Sequence, residues 1–404
     1  MKRRQFLQTG LLGGASFLSG ISNLAIGSPK EGQSNTANNA PLIMVFLRGG
    51  ADGLAILSPL DDTNFLAARP PNMRFEIDKS ANTILNLAAP RLNKTPFYWH
   101  PAAGPLAQLQ ANKRLVAWHA VGVKNETRSH FEAQEIMERG VESLQTLPDS
   151  FGWMARQVLL NKDQVPTSIN TLPLFAGSAN MPRAMQGANQ VLAIRDLQAG
   201  VPFPGGPAGL KALQALGEVD SNHPAAQSML GTFNILEEVN GILPKMDSKV
   251  QPYLSAGAAP YPESDPGVGL RSAARLIQAK VGLQYVWIDQ GGWDTHEGQP
   301  GRLNNLITQL SNALLAFDED MKAQNQRYTL VVMTEFGRRL ISNKSNGTDH
   351  GHGSLSLVMG SAMPGEKMMG KWPGLDTAKL DRGVDLAVTT DYLELLKQAQ
   401  SWNA

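Results

Sequence analysis

Apolar, often β-branched runs alternate along this chain with segments whose apolar positions recur every three or four residues. That pattern predicts strands buried on both faces, with helices laid against them. The first run, Leu42-Ile43-Met44-Val45-Phe46-Leu47, ends in the Gly-rich turn Arg48-Gly49-Gly50-Ala51-Asp52-Gly53. Further strands are predicted over 114–121, 283–288, 328–334 and 355–359. Helical spacing is found near 105–112, after Ser129, from His223-Pro224 to about 239, over 268–280 and 301–324, and from Thr390 or Asp391. In the longest of these, Leu303, Leu306, Ile307, Leu310, Leu314 and Phe317 keep the helical period, so that face packs on a sheet. The order strand, polar loop, helix, strand is that of an α/β fold, in which ligands bind beyond the carboxyl ends of the strands.

The loops at those ends carry the candidate chemistry. The strand 328–334 breaks into Glu335-Phe336-Gly337-Arg338-Arg339, and the chain returns through Asp349-His350-Gly351-His352-Gly353 before the next strand. Upstream, the strand 283–288 opens into a loop with Asp294 and His296, which face the same way if the loop is extended. The turn after the first strand delivers Asp52, and its glycines permit positive φ and close backbone approach. Ser129, three residues before Glu132, fits a helix N-cap with a capping box. It also fits a nucleophile or anion site at a helix N-terminus, although spacing by itself favours the cap. Together Asp52, Ser129, Asp294, His296, Glu335, His350 and His352 offer oxygen and nitrogen ligands for one or two divalent ions. Zinc, manganese, iron or calcium is the expected cofactor. Arg48, Arg338 or Arg339 would bind a substrate anion bidentately. Competing readings are a turn-forming Asp52 and an Asp294–His296 pair bonded to each other without an ion.

Composition narrows the function classes. Lys and Arg number 36 against 35 Asp and Glu, a net charge of +1 that gives no field for nucleic acid. With no cysteine in 404 residues, disulfides, thiolate zinc sites and iron–sulfur clusters are excluded, and any metal must use O and N ligands. The basic head Lys2-Arg3-Arg4-Gln5-Phe6-Leu7 and the uncharged, glycine-bearing stretch after it resemble a twin-arginine export signal over 1–27. Export by the twin-arginine translocase, to the periplasm or beyond, is expected. Residues 28–40 are polar and Asn-rich and read as a disordered linker. Residues 41–404 read as one domain, with an irregular insertion at about 148–266 where Pro and Gly interrupt short helical runs.

Five motifs in this order carry a resemblance: Phe46-Leu47-Arg48-Gly49-Gly50-Ala51-Asp52-Gly53, Ser129-His130-Phe131-Glu132-Ala133-Gln134, Gly291-Gly292-Trp293-Asp294-Thr295-His296, Thr334-Glu335-Phe336-Gly337-Arg338 and Asp349-His350-Gly351-His352. With the export signal, they resemble the bacterial family called domain of unknown function 1501, over nearly the whole chain from Pro41. That family is similar in outline to the alkaline phosphatase and sulfatase superfamily. The resemblance implies an alkaline-phosphatase-like α/β sandwich, with a central mostly parallel sheet flanked by helices and a metal site at the rim. It implies Asp52 as a metal ligand, Ser129 as nucleophile, and Asp294, His296 and either His350 or His352 around one ion. Glu335 falls at the first position of an Asp-His pair, but Phe336 stands where the histidine would be, which bears on a second ion. The expected function is hydrolysis of a small phosphate or sulfate ester. The alternative is a non-catalytic exported binding or assembly protein, its rim residues forming a hydrogen-bond network and its protein partner unknown.

Overall fold

The computed structural model describes residues 40–75, 97–146, 151–160, 172–188, 190–198, 200–201, 205–219, 223–247, 249–361, 363 and 368–402. The export segment 1–27 and the linker, apart from Ala40, lie outside the described residues.

A nine-stranded sheet organises the molecule. Its strands are β1 (Leu42–Leu47), β2 (Leu115–Gly122), β3 (Leu174–Ala176), β4 (Val191–Ala193), β5 (Tyr285–Gln290), β6 (Thr329–Met333), β7 (Ser354–Gly360), β8 (Met368–Met369) and β9 (Thr390–Asp391). The order is β8-β2-β7-β6-β1-β5-β3-β4, with β9 pairing with β2. All neighbours run parallel except at β7, which is antiparallel to both β6 and β2. This is the expected α/β class with a mostly parallel sheet.

The described helices longer than one turn are α1 (Thr63–Ala68), α2 (Gly104–Ala111), α3 (His130–Arg139), α4 (Trp153–Leu160), α5 (Gly206–Val219), α6 (Pro224–Ile242), α7 (Asp265–Gln278), α8 (Gln299–Ala323) and α9 (Tyr392–Ser401). The alternation of β1 sends Ile43, Val45 and Leu47 into one core with α2, α7 and α8. Leu42, Met44 and Phe46 enter the other with α3, α4 and α9. Along α8, Leu303, Ile307, Leu310, Leu314 and Phe317 are all buried, as their period requires. Each such side chain contributes roughly 1.5–3 kcal/mol. Both α7 and α8 start earlier than periodicity suggests. Pro266 and Pro300 lie in their first turns, where a missing N–H costs nothing.

The stretch read as an irregular insertion at about 148–266 is more closely tied to the sheet than that reading implies. Its short runs Leu174–Ala176 and Val191–Ala193 extend the sheet beyond β5, while α5 and α6 pack on each other. No described helix is long and apolar enough to cross a membrane.

Register brings the loops together. Phe46 lies opposite Met333 of β6 and Asp289 of β5, so the central parallel strands end in step. Because β7 runs the other way, the loop that precedes it arrives at the rim the parallel strands leave. Loops 48–53, 123–129, 291–298, 334–340 and 349–353 therefore share one edge.

Candidate metal centre

Four side chains from three of these connections converge. His130 opens α3, Asp294 and His296 follow β5, and His350 precedes β7. His350 Nε2 lies 3.0 Å from His130 Nε2 and 3.0 Å from His296 Nε2. Asp294 Oδ1 lies 3.0 Å from His296 Nε2 and 3.3 Å from His350 Nε2, and its Oδ2 is 3.6 Å from His130 Nε2. A tetrahedron of ligands with bonds of about 2.0–2.1 Å has edges of about 3.3 Å, so the spacing suits a small divalent ion. One ligand atom each from His130, Asp294 and His350 lies within 4.8 Å of the other two, and His296 falls outside that group.

The opposite nitrogen of each ring faces an acceptor. His130 Nδ1 is 2.7 Å from Glu335 Oε1, His296 Nδ1 is 3.1 Å from Asp349 Oδ1, and His350 Nδ1 is 2.9 Å from the Arg128 carbonyl. Acceptors there require Nδ1–H, which assigns the tautomer and turns each Nε2 lone pair inward. The Arg338 guanidinium meets the Asp294 carboxylate from one side, and the inward ring lone pairs face one another, an arrangement that a cation among them would relieve. The donor set, nitrogen-rich and cysteine-free, fits a zinc-like ion. Burial, with the charges of His130 and Arg338, lowers the His350 pKa and favours the neutral ring, against the hydrogen bond to Arg128. Burial would raise the Asp294 pKa, but Arg338, His296 and His130 outweigh it and keep the carboxylate ionised. Hydrogen bonds from Asn343 and His296 lower Asp349.

Several predicted site residues stand around this point rather than at it. Glu335 is fully buried and accepts from His130, from Gln134 Nε2 at 2.8 Å and from the Gly49 N–H at 2.9 Å. Burial pushes its pKa up, yet these donors bring it below the usual value. It orients His130. Gly49 reaches it with φ near +119°, and a Cβ there would meet the Asp294 N at 2.4 Å, so no other residue fits. Phe336 lies under the cluster, its ring centroid 4.7 Å from that of His130 and 4.9 Å from that of His350. Standing where the resembled pattern has a histidine, it supplies packing.

Asp52 is buried in an ion pair with Arg69 Nη1 at 2.6 Å and accepts from Gln299 Nε2 at 2.6 Å. It does not join the histidines. Of the pair left open by the sequence, His350 enters the cluster. His352 turns away, 2.9 Å from the Val123 carbonyl, with Nδ1 3.0 Å from Asp381 Oδ2 but too poorly aligned for a hydrogen bond.

Of the three arginines expected to bind an anion, Arg48 and Arg338 are committed to the protein. Arg48 pairs with Glu138 at 2.6 Å and Asp289 at 2.8 Å and stacks on Phe46. Arg338 is buried, donating to the carbonyls of Gly49, Gly50 and Thr348 and holding Asp294. Ser129 is exposed and caps α3, its Oγ accepting from the Glu132 N–H at 3.5 Å. The Glu132 carboxylate does not return to Ser129. It takes the Thr127 hydroxyl at 2.8 Å, which in turn accepts from the Ser129 N–H at 3.2 Å.

Sequence reasoning passed over His130, Asp349 and Arg128. His130 sat within a quoted motif, and the available signal was its place at a helix start after a strand, like the other rim groups.

Residues 256–400 match the sequence model of a family described as Protein of unknown function (DUF1501), the family that the motifs resemble. The match includes Asp294, His296, Glu335, His350 and His352, but not the loops of Asp52 and His130. Among curated proteins none matches the chain significantly. Similar solved structures include a protein of the alkaline phosphatase superfamily from Vibrio parahaemolyticus, at 11% identity and TM-score 0.36 over 83% of this chain and 64% of that one. The chain thus spans less than two thirds of that protein's length. Others are the C-terminal periplasmic domain of EcEptC from Escherichia coli in complex with Zn, at 9% identity, TM-score 0.35 and coverage of 81% and 75%, and the alkaline phosphatase of the Antarctic bacterium TAB5, at 9%, 0.35, 91% and 100%. At these scores the likeness assigns no role to any residue.

Proposed function

We propose that this is an exported hydrolase of small phosphate or sulfate esters that works with one divalent ion. His130, His350 and Asp294 would hold the ion, with His296, beside His350 and Asp294, as a further candidate ligand. The observation that supports this most is the anchoring of three Nδ1 atoms on oxygen acceptors, which leaves three Nε2 atoms converging on a carboxylate. When bound, a divalent ion would polarise an ester oxygen and favour an oxygen nucleophile near neutral pH. Zinc or manganese suits three imidazoles better than calcium, which takes oxygen ligands. One ion is favoured over two, because the Arg69 guanidinium already neutralises Asp52.

Ser129 remains the candidate nucleophile. It precedes His130 directly, is exposed, and sits at the N-terminus of α3, where the dipole and free N–H groups favour an oxyanion. Its capping bond is long, so engaging the hydroxyl elsewhere costs little.

One observation favours the non-catalytic reading: Arg48 and Arg338 bind protein acceptors rather than a substrate anion. The two readings part on one assay. Wild type loaded with zinc or manganese should cleave a chromogenic phosphate or sulfate ester, and Ser129→Ala should abolish cleavage with an unchanged Tm. Failure of wild type on both esters with both ions would leave the binding reading.

A further inference from the structure

Two of the three histidines are oriented by carboxylates, but His350 is oriented by a main-chain carbonyl, that of Arg128. A carbonyl holds a ring only as firmly as its own loop is held. Here the loop 123–129 is fastened to the turn 381–385. Arg128 Nη2 lies 2.8 Å from Asp381 Oδ2, and its Nε donates to Asp385 Oδ2 at 2.9 Å. Asp385 is fully buried, and the guanidinium side chain is 16% exposed, so this pairing is little screened. Arg128 Nη1 also donates to the Glu126 carbonyl at 2.9 Å, closing its own loop. His352 lies against the same two segments, its Nε2 hydrogen-bonded to the Val123 carbonyl and its Nδ1 3.0 Å from Asp381 Oδ2. In His350-Gly351-His352 the first ring therefore faces the centre and the second fixes the loop that orients the first.

We propose that Arg128 is a positioning residue for the metal centre. Its side chain, clamped by Asp381 and Asp385, fixes the carbonyl that sets the tautomer and direction of His350. The turn 381–385, distant in sequence from every ligand except His350, thus governs how tightly the ion is held. This rests on the centre proposed above and on no assumption about turnover.

The test is metal binding to the full chain, by competition of Zn2+ with a chromophoric chelator and by the visible spectrum of the Co2+ form. Arg128→Ala should weaken Zn2+ binding by about 10–100-fold and change the Co2+ spectrum, while the metal-free Tm identifies any variant that does not fold. Arg128→Lys, which keeps the charge but not the fork, should fall between. Asp381→Asn, which removes the charge that faces Arg128 and His352, should weaken binding several-fold and carries the test if Arg128→Ala does not fold. Arg382→Ala breaks only the exposed pair with Glu126 on the same loop and should stay within twofold. Folded Arg128→Ala and Asp381→Asn with wild-type affinity and spectrum would overturn this inference and leave the centre standing. A wild type that binds neither Zn2+ nor Co2+ would overturn both.

Discussion

Asp320, near the C-terminal end of α8, and Asp294, just before its N-terminal end, each gather polar groups about a carboxylate, with about 32 Å of helix between Gln299 and Asp320. Around Asp320 every partner is a donor. Tyr253 and Tyr261 give their hydroxyls at 2.9 and 2.8 Å, Gln324 its amide at 2.7 Å and Ala256 its N–H at 2.9 Å. Burial first, and then the Asp320 charge, push both phenols far from ionising. Around Asp294 the partners are the Arg338 guanidinium and ring nitrogens whose protons have been drawn to the far side. The first cluster is complete as protein and fastens the loop before α7 onto α8. The second has the Arg338 guanidinium on its carboxylate but leaves the inward ring lone pairs unmatched, which a bound cation would satisfy. Counting donors against acceptors separates a structural knot from a ligand site where counting charged residues does not.

The largest effect expected from breaking this contrast is at the knot. Asp320→Ala leaves two hydroxyls and a backbone N–H without their acceptor and should cost about 3–4 kcal/mol in urea unfolding, with metal binding intact. A loss of metal binding at unchanged stability would reverse the roles assigned to the two ends.

His119 sharpens the contrast from another side. It is a buried histidine with one nitrogen on the Leu57 carbonyl at 2.8 Å and the other unpartnered among the described residues, but with no second imidazole beside it. Burial lowers its pKa to about 4, against the Leu57 bond and the Asp52 charge. The folded value is depressed, so its contribution is fully present above the unfolded value of about 6.5 and is lost as pH falls toward 4. Unfolding free energy should drop by about 3 kcal/mol across that window, and His119→Gln should flatten this part of the profile. An unchanged profile in the variant would show that other groups carry the dependence.

A smaller effect is expected one shell out from the ion. Glu335→Gln keeps the shape of the acceptor that holds His130 but removes its charge, and should weaken Zn2+ binding by about 10–100-fold in chelator competition. No change would mean that the ring is held by Phe336 packing alone.

Most of the fold was legible because apolar periodicity reports burial directly. Strands β1, β2, β5, β6 and β7 and the helices α2, α3, α6, α7, α8 and α9 were all expected, with shifts only at their ends. Strands β3 and β4, at one end of the sheet, were not, since three-residue runs carry no period. At the site, Asp294, His296 and His350 were legible as polar residues released at strand ends. Whether a residue touches the point or supports it depends on the direction its side chain takes, which spacing does not encode. Glu335 and His352 were placed beside the ion for that reason, and Asp52 could not be seen to face Arg69, 17 positions away. His130 was hidden by its neighbour, because the capping preference of Ser129 explained the helix start without it.

The most direct test of the central claim is the metal content of protein purified without chelators or a histidine tag, with and without added Zn2+ or Mn2+. Close to one equivalent per chain in wild type, and none in folded His130→Ala or His350→Ala, is the result expected. Wild type without metal under both conditions, or variants holding as much as wild type, would contradict it.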